Sequence, residues 1–320
     1  MQAPKSTESG RDMDWPVEYQ AVHGTRNSLM AHVENFAWRI TLGCLSRLPR
    51  PMLNAFGFCF APLAKVLDRR HANSARAFLR QAFGEDIEPR ELERRVTQAY
   101  RHLLEVAVTP ARCEVRGVRG RQALLSRTEV TLSDEVRKVM EAGGLIVVSG
   151  HIGDWEMAAS ISSAVGFRPF YAISKPPRNR PMSIDAQRQR EAREVRLLPR
   201  RGAMTFAPKV ITGGGTLGML LDQRARKKPV LAPYFGRLAR SDRSAGVLLR
   251  RLKSPVVFLA VYRTGDLRWR LDADRVLFPS DIVGKSPEEV AALINVELER
   301  QVLEAPDQYF WLHDRYRKLP

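Results

Sequence analysis

Cysteine is scarce in this 320-residue chain: Cys44, Cys59 and Cys113 are an odd number with no C-x-x-C spacing. They build neither a disulfide framework nor a thiolate zinc site, and a reducing compartment fits them best. Long apolar runs are missing too. The least polar stretch, residues 36–67, is broken by Arg39, Arg47, Arg50 and Lys65 and by Pro49, Pro51 and Pro62. Its longest uncharged piece, 51–64, has 14 residues, whereas a spanning helix needs about 20. A clean transmembrane helix is therefore disfavoured. Residues 1–30 are polar and charged without a basic start and apolar run, so they do not read as a secretory signal and export is not expected. Acidic residues are also in deficit, 35 against 52 Lys and Arg, leaving +17 at neutral pH and a pI of about 10.4. Such an excess calls for an anionic partner: nucleic acid, an acidic membrane surface, or an acidic protein or phosphorylated substrate.

Several catalytic signatures are absent as well. There is no G-x-S-x-G elbow, no H-E-x-x-H, no Walker lysine loop and no G-x-G-x-x-G after a strand. Covalent and metal mechanisms lose ground accordingly. Gly213-Gly214-Gly215 lacks the Lys-Ser/Thr of a phosphate cradle and reads as an ordinary turn. No RNP-type aromatic strand, zinc finger or other nucleic-acid module is present, so nucleic acid is the weaker reading of the charge.

What remains is a globular chain, 44% hydrophobic and 27% charged. Beyond the polar tail at 1–30, which is expected to be disordered, residues 36–107 read as helices. The best runs over 88–107, with Pro89 at the first helical position and Leu92, Val96, Tyr100, Leu103 and Leu104 in one stripe. Within 36–67, Trp38, Leu42 and Leu45 recur at helical spacing. That helix either lies in the headgroup layer with arginine on lipid phosphate or covers the catalytic domain. After Gly143 the period changes: Leu145-Ile-Val-Val148 is the short continuous run of a strand buried on both faces. Further strands are expected at 170–173, 217–221, 230–233, 256–262 and 269–271, and helices at 182–197, 243–252 and 287–304. The last helix opens with a capping box from Ser286 to Glu289. The alternation predicts an α/β fold, a mixed or mostly parallel sheet flanked by helices, over 111–320, behind a helical region at 31–110.

A histidine directly after a buried strand stands at the carboxyl edge of the sheet, where open α/β folds place their ligands. His151 holds that position, with Asp154 and Glu156 three and five residues on, either of which is placed to hold the imidazole in one tautomer. That combination is a histidine–carboxylate base without a nucleophile. A helix-capping histidine paired structurally with a carboxylate is an equal alternative on spacing alone.

The run Ser149-Gly-His-Ile-Gly-Asp-Trp-Glu156 resembles the HxxxxD/E motif of the lysophospholipid acyltransferase superfamily. In particular it resembles the lipid A biosynthesis (late lauroyl/myristoyl) acyltransferases, which carry glutamate at the acidic position. Three further blocks agree in order: Asp222-Gln223 closing a strand, Ala232-Pro-Tyr-Phe-Gly236 just after it, and Asn295-x3-Glu299 followed by Pro306-Asp-Gln-Tyr-Phe-Trp-Leu-His313. The similarity spans roughly 36–320. It departs from the family at Asp314, where an arginine is usual and Arg315 supplies the charge, and in the acceptor-side block, matched only loosely by Asn179-Arg-Pro181 and Arg190.

The resemblance implies acyl transfer from a thioester carrier, acyl carrier protein or coenzyme A, to a membrane lipid, with no cofactor or metal. His151 would take the acceptor proton and Glu156 would orient the imidazole. Backbone N–H groups near Gly150–Gly153 or an arginine would stabilise the oxyanion. Substrate contacts are expected from Asp154, Arg178, Asn179, Arg190, Asp222, Gln223, Phe235, Gly236, His313 and Arg315. The acceptor is a lipid A precursor or, alternatively, a lysophospholipid, a phosphatidylinositol glycan or an aminolipid. A His/Glu thioester hydrolase is the runner-up. Peripheral or monotopic association with the cytoplasmic face of a bacterial inner membrane follows, through residues 36–67. The basic runs 224–228 and 237–251 would meet the acidic carrier and the anionic surface.

Overall fold

The computed structural model describes residues 15–17, 23–200 and 202–317. Helices α1 (Leu29–Arg47), α2 (Arg50–Leu67), α3 (Arg69–Phe83), α4 (Pro89–Val115) and α5 (Gly120–Leu125) precede the sheet. There follow β1 (Thr128–Leu132), α6 (Asp134–Ala142), β2 (Leu145–Ser149), α7 (Trp155–Val165), β3 (Phe170–Ser174), α8 (Arg180–Glu191), β4 (Val195–Pro199), α9 (Ala203–Thr212) and β5 (Thr216–Leu220). Then come β6 (Val230–Tyr234), β7 (Arg237–Ser241), α10 (Ser244–Leu252), β8 (Val256–Gly265), β9 (Arg268–Leu277) and α11 (Pro287–Glu304).

Seven strands form one sheet in the order β1-β9-β8-β2-β5-β3-β4. The five from β8 to β4 run parallel, while β9 returns antiparallel to β8 and β1 follows β9. Every residue of β2 is buried, as its unbroken apolar run requires. Its side chains alternate between two cores: Ile146 and Val148 pack with Phe78, Tyr100 and Leu298 on one face, and Leu145 and Val147 with Met157, Ile161 and Trp269 on the other. The α/β architecture with a mostly parallel, helix-flanked sheet is thus as expected.

Local signals explain the element ends. Ser286 Oγ accepts from Glu289 N–H at 3.1 Å while Glu289 accepts from Ser286 N–H at 2.6 Å, and α11 starts where the capping box places it. Helix α4 outruns its expected end and continues past Pro110 to Val115, with Val108, Arg112 and Cys113 still buried against different neighbours. The helix expected over 182–197 stops at Glu191. Glu194 takes a left-handed φ of 59°, and residues 195–199 become β4, burying Val195 and Leu198. The block 232–236 belongs to a separate hairpin, β6/β7, turned by Phe235 (φ 48°) and Gly236 (φ 72°). Two positive φ values are what a two-residue hairpin turn with matching twist needs.

Within the tail expected to lack structure, residues 15–17 pack on the sheet. Val17 N–H donates to the Tyr171 hydroxyl at 3.1 Å, and the Arg196 guanidinium covers the Trp15 ring at 4.1 Å. The rest of that tail before residue 23 lies outside the described residues. Of the stripe proposed in α1, Leu45 is buried and Leu42 partly so against Leu53 and Val108, while Trp38 faces outward. Phe36, Ile40, Phe56, Phe58, Leu63 and Leu67 are further exposed apolar side chains of the α1/α2 pair. Among the described residues no helix is long and apolar enough to cross a membrane.

Candidate active site

Register brings the central pair together. Strands β2 and β5 are parallel neighbours with Ser149 opposite Leu220, so His151 and Asp222, each just past its strand end, face one another at the carboxyl edge. The His151 Nδ1–Asp222 Oδ1 distance is 2.8 Å, and Asp222 is buried. A carboxylate only accepts, so the proton sits on Nδ1 and the Nε2 lone pair is left for chemistry. The Gln223 amide Nε2 lies 3.3 Å from that lone pair, in place to donate to it. Trp155 and Phe310 flank the imidazole, with ring centroids 5.5 and 6.0 Å away.

The electrostatics agree with this pairing. Burial disfavours the imidazolium, but the charge and hydrogen bond of Asp222, aided by Glu156, outweigh it and raise the His151 pKa above its ordinary value. Burial likewise pushes Asp222 up, yet His151 and the buried Arg315 hold its carboxyl below the usual range. The pair therefore favours an ionised aspartate beside a basic imidazole.

The loop carrying His151 is fixed from three sides. Gly153 takes φ +59°, and a Cβ there would lie 1.9 Å from the Val261 carbonyl oxygen, so the chain passes too close to β8 for any side chain. Gly153 N–H donates to Gln308 O at 2.7 Å, and Phe310 N–H to the His151 carbonyl at 3.1 Å. The Gln308 side chain in turn bonds both backbone groups of Arg263. The C-terminal block is thus the cradle of the His151 loop, and the Gly153 N–H, expected as an oxyanion donor, is already engaged.

The geometry corrects several expected roles. Neither Asp154 nor Glu156 hydrogen-bonds His151; the partner is Asp222, expected at the substrate. Asp154 is fully buried, accepts the Trp269 indole N–H at 2.9 Å, and is pushed up to about 6 by burial. Glu156, in the first turn of α7, ion-pairs with Arg190 of α8 and reaches His151 only through its charge. Asn179 is buried, caps α8 by accepting Met182 N–H, and donates to the Ala31 carbonyl at 2.9 Å. The Arg178 side chain is exposed, and its carbonyl accepts Arg26 N–H.

The remaining residues knit the edge together. Phe235 N–H donates to Glu299 at 2.8 Å, Asn295 donates to the Pro233 carbonyl at 2.7 Å, and Gln81 donates to the Phe235 carbonyl. The 232–236 and 295–299 blocks are therefore one interlocked joint, with Gly236 in its turn. His313 Nε2 accepts Arg224 N–H at 3.1 Å, and burial drives its pKa down to about 4. Arg315 is buried, donating to Arg240 O and Ser241 Oγ. Of the expected substrate contacts, Arg190, Gln223 and the exposed Arg178 keep surface to offer a ligand, whereas Asp154, Asn179, Phe235 and Arg315 are buried in structural contacts. Trp155 and Phe310 were not singled out beforehand, although both lie inside the motif blocks that were.

No curated protein sequence matches the chain. The family description bacterial lipid A biosynthesis acyltransferase matches residues 25–318, from before α1 to the end of the described chain, and includes the His151 loop, the Asp222 edge and the C-terminal cradle. The chain belongs to this family and is a lipid acyltransferase.

Proposed function

We propose that the protein moves a fatty acyl chain from an acyl thioester, carried by acyl carrier protein or coenzyme A, to a hydroxyl or amine of a membrane glycolipid such as a lipid A precursor. The observation that carries this is the His151–Asp222 pair at the carboxyl edge, with Nδ1 held and Nε2 opposed only by an amide. An acceptor hydroxyl displaces Gln223, gives its proton to Nε2 and attacks the thioester carbonyl. The tetrahedral intermediate collapses by breaking the C–S bond, and the leaving thiolate takes the proton back from the imidazolium. Asp222 keeps the tautomer and stabilises the imidazolium throughout, and Glu156, tied to Arg190, adds negative charge nearby. The scheme forms no acyl-enzyme and uses no resident metal or redox group.

A lipid acceptor requires access to the bilayer. The exposed apolar side chains of α1 and α2, with Phe58 69% and Leu67 77% exposed, support monotopic insertion at the cytoplasmic face of the inner membrane, and Arg39 and Arg47 of α1 suit anionic headgroups. The direct test incubates purified protein with labelled acyl carrier protein and total membrane lipid and identifies the product by mass spectrometry. His151→Ala is expected to lower transfer by about 10²–10⁴-fold. Retention of more than roughly a tenth of the wild-type rate overturns the assignment on that scale.

A further inference from the structure

Three chain segments meet beside the base and bring together arginines that form no ion pair among the described residues. The loop after β5 carries Arg224 and Arg226, β7 carries Arg240, and the C-terminal segment carries Arg317. Backbone bonds sew them into one unit. Ala225 N–H donates to the Arg240 carbonyl at 2.8 Å, Arg224 N–H to His313 Nε2 at 3.1 Å, and Arg224 Nη1 to the Arg317 carbonyl at 3.0 Å. Among the described residues, Arg190, Arg193, Arg263 and Arg270 are each paired with a glutamate or aspartate, whereas none of these four arginines is in an ion pair. Arg226 and Arg317 are exposed, Arg224 and Arg240 half-buried.

Crowded guanidiniums repel one another, and a bound anion relieves that repulsion. The repulsion is felt at Arg224: burial and then the charges of Arg226, Arg317 and Arg240 lower its pKa, with Asp314 acting the other way. The planar, multiply donating guanidinium matches phosphate oxygens in particular. The position matters as much as the charge, because Gln223, which faces the His151 Nε2 lone pair, is the residue immediately before Arg224. Asp222, on the other side of Gln223, holds the imidazole, so the base and the cationic cluster share one loop.

We infer that Arg224, Arg226, Arg240 and Arg317 form a binding site for a phosphate ester carried by one of the two substrates. The inference rests on the acyl-transfer reading above for its choice of substrates. A phosphate ester enters the reaction from two sources: the phosphopantetheine arm common to acyl carrier protein and coenzyme A, or a phosphorylated sugar headgroup of the lipid. The same cluster chemistry serves either, and paired probes separate them.

The experiment is calorimetric binding to the full chain with non-transferable ligands. The donor pair is S-dodecyl pantetheine 4′-phosphate and S-dodecyl pantetheine; the acceptor pair is dodecyl glucoside 6-phosphate and dodecyl glucoside. Each charge-assisted contact to phosphate is worth roughly ten-fold or more, so the phosphorylated member of one pair should bind at least about ten-fold tighter, and that pair names the source. Arg224→Gln combined with Arg226→Gln and Arg317→Gln should abolish the preference while leaving affinity for the phosphate-free member within about two-fold. The double variant Arg226→Gln with Arg317→Gln keeps every Arg224 contact and should remove most of the preference even if the triple variant folds poorly. Absence of a phosphate preference in both pairs, or a preference that survives the double variant undiminished, overturns the site. Because a thioether cannot be transferred, the result stands apart from catalysis: a retained preference with no acyl transfer from any donor would refute the catalytic reading and leave the phosphate site in place.

Discussion

Replacing Asp222 by asparagine keeps the shape of the side chain and removes the one carboxylate bonded to the base. In the structure that carboxylate is buried, lies 2.8 Å from Nδ1, and outweighs the burial that would otherwise depress the His151 pKa. A hydrogen bond to a charged group is worth about 1.5–3 kcal/mol, or roughly one to two decades in rate. An asparagine amide turned to donate would also favour the wrong tautomer, leaving the proton on Nε2, an effect worth up to about four decades in a serine protease triad. The expected loss in kcat/KM is therefore roughly 10²–10⁴-fold. The pH profile carries the sharper signature. The base works neutral, so activity rises with pH through the His151 pKa. In the wild type that acidic limb lies above 6.5, and in Asp222→Asn burial prevails and the limb moves to lower pH. The deficit of the variant should consequently shrink in acid. Stability follows the same linkage: a raised histidine pKa stabilises below 6.5 and its contribution is lost as pH rises through the folded value, while the lowered Asp222 pKa contributes above 3.8 and is lost as pH falls. The melting difference between wild type and variant should thus be larger near pH 6 than near pH 9. An acidic limb that stays in place, with a rate loss under about three-fold, would refute the pairing as the source of basicity.

Glu156→Gln should reduce transfer substantially by freeing Arg190 and removing negative charge beside the imidazolium, whereas Asp154→Asn should change turnover little, and the reverse ranking in steady-state assays would contradict the geometry. Because burial holds Asp154 up to about 6, its ionisation weighs against the fold as pH rises from 3.8 through 6; Asp154→Asn should therefore melt higher than wild type at pH 7.5, by roughly 1–3 kcal/mol, and the gain should fade near pH 4. Phe36→Ser with Phe58→Ser should weaken flotation with anionic vesicles by roughly a hundred-fold if these side chains enter the bilayer, and unchanged flotation would remove α1 and α2 from the contact. Gly153→Ala should lose about 2–4 kcal/mol in denaturant unfolding, since its Cβ would overlap the Val261 carbonyl in a left-handed backbone, and near-wild-type stability would show that the loop can move away from β8.

Much of this was legible in the sequence because it is written in local patterns. The buried run 145–148, the capping box at Ser286 and the proline start of α4 specify elements through neighbouring residues alone. The partner of His151 is not local. Spacing within the motif offers Asp154 and Glu156, but helix α7 begins at Trp155 and turns Glu156 toward α8, while Asp154 is drawn into the core by Trp269. Asp222 comes within 2.8 Å only through the parallel pairing of β2 with β5, and no pattern in either strand announces that register. Strand β4 was hidden for a similar reason. A polar helix runs almost into it, and the break depends on the left-handed turn at Glu194.

The residues that loosely matched an acceptor block also carry structural contacts. Arg26 N–H bonds the Arg178 carbonyl at 2.9 Å, Asn179 reaches the Ala31 carbonyl at 2.9 Å, and Asn35 reaches Asp185 at 3.0 Å, so the start of α8 is pinned along α1. Further along the same helix, Arg190 pairs with Glu156, whose charge acts on His151. Helix α8 thus forms a bracket between α1 and the Glu156 carboxylate. A second link runs from α1 through α4, where Arg112 donates to the Ser46 and Leu48 carbonyls and His102 meets Trp155 beside His151, so α8 is one of two routes by which α1 is joined to the site. If α1 and α2 meet the bilayer as proposed, a lipid headgroup beside α1 would approach along the helix that presents Arg190, on the β3/β4 side of His151, while the unpaired arginines stand on the loop after β5.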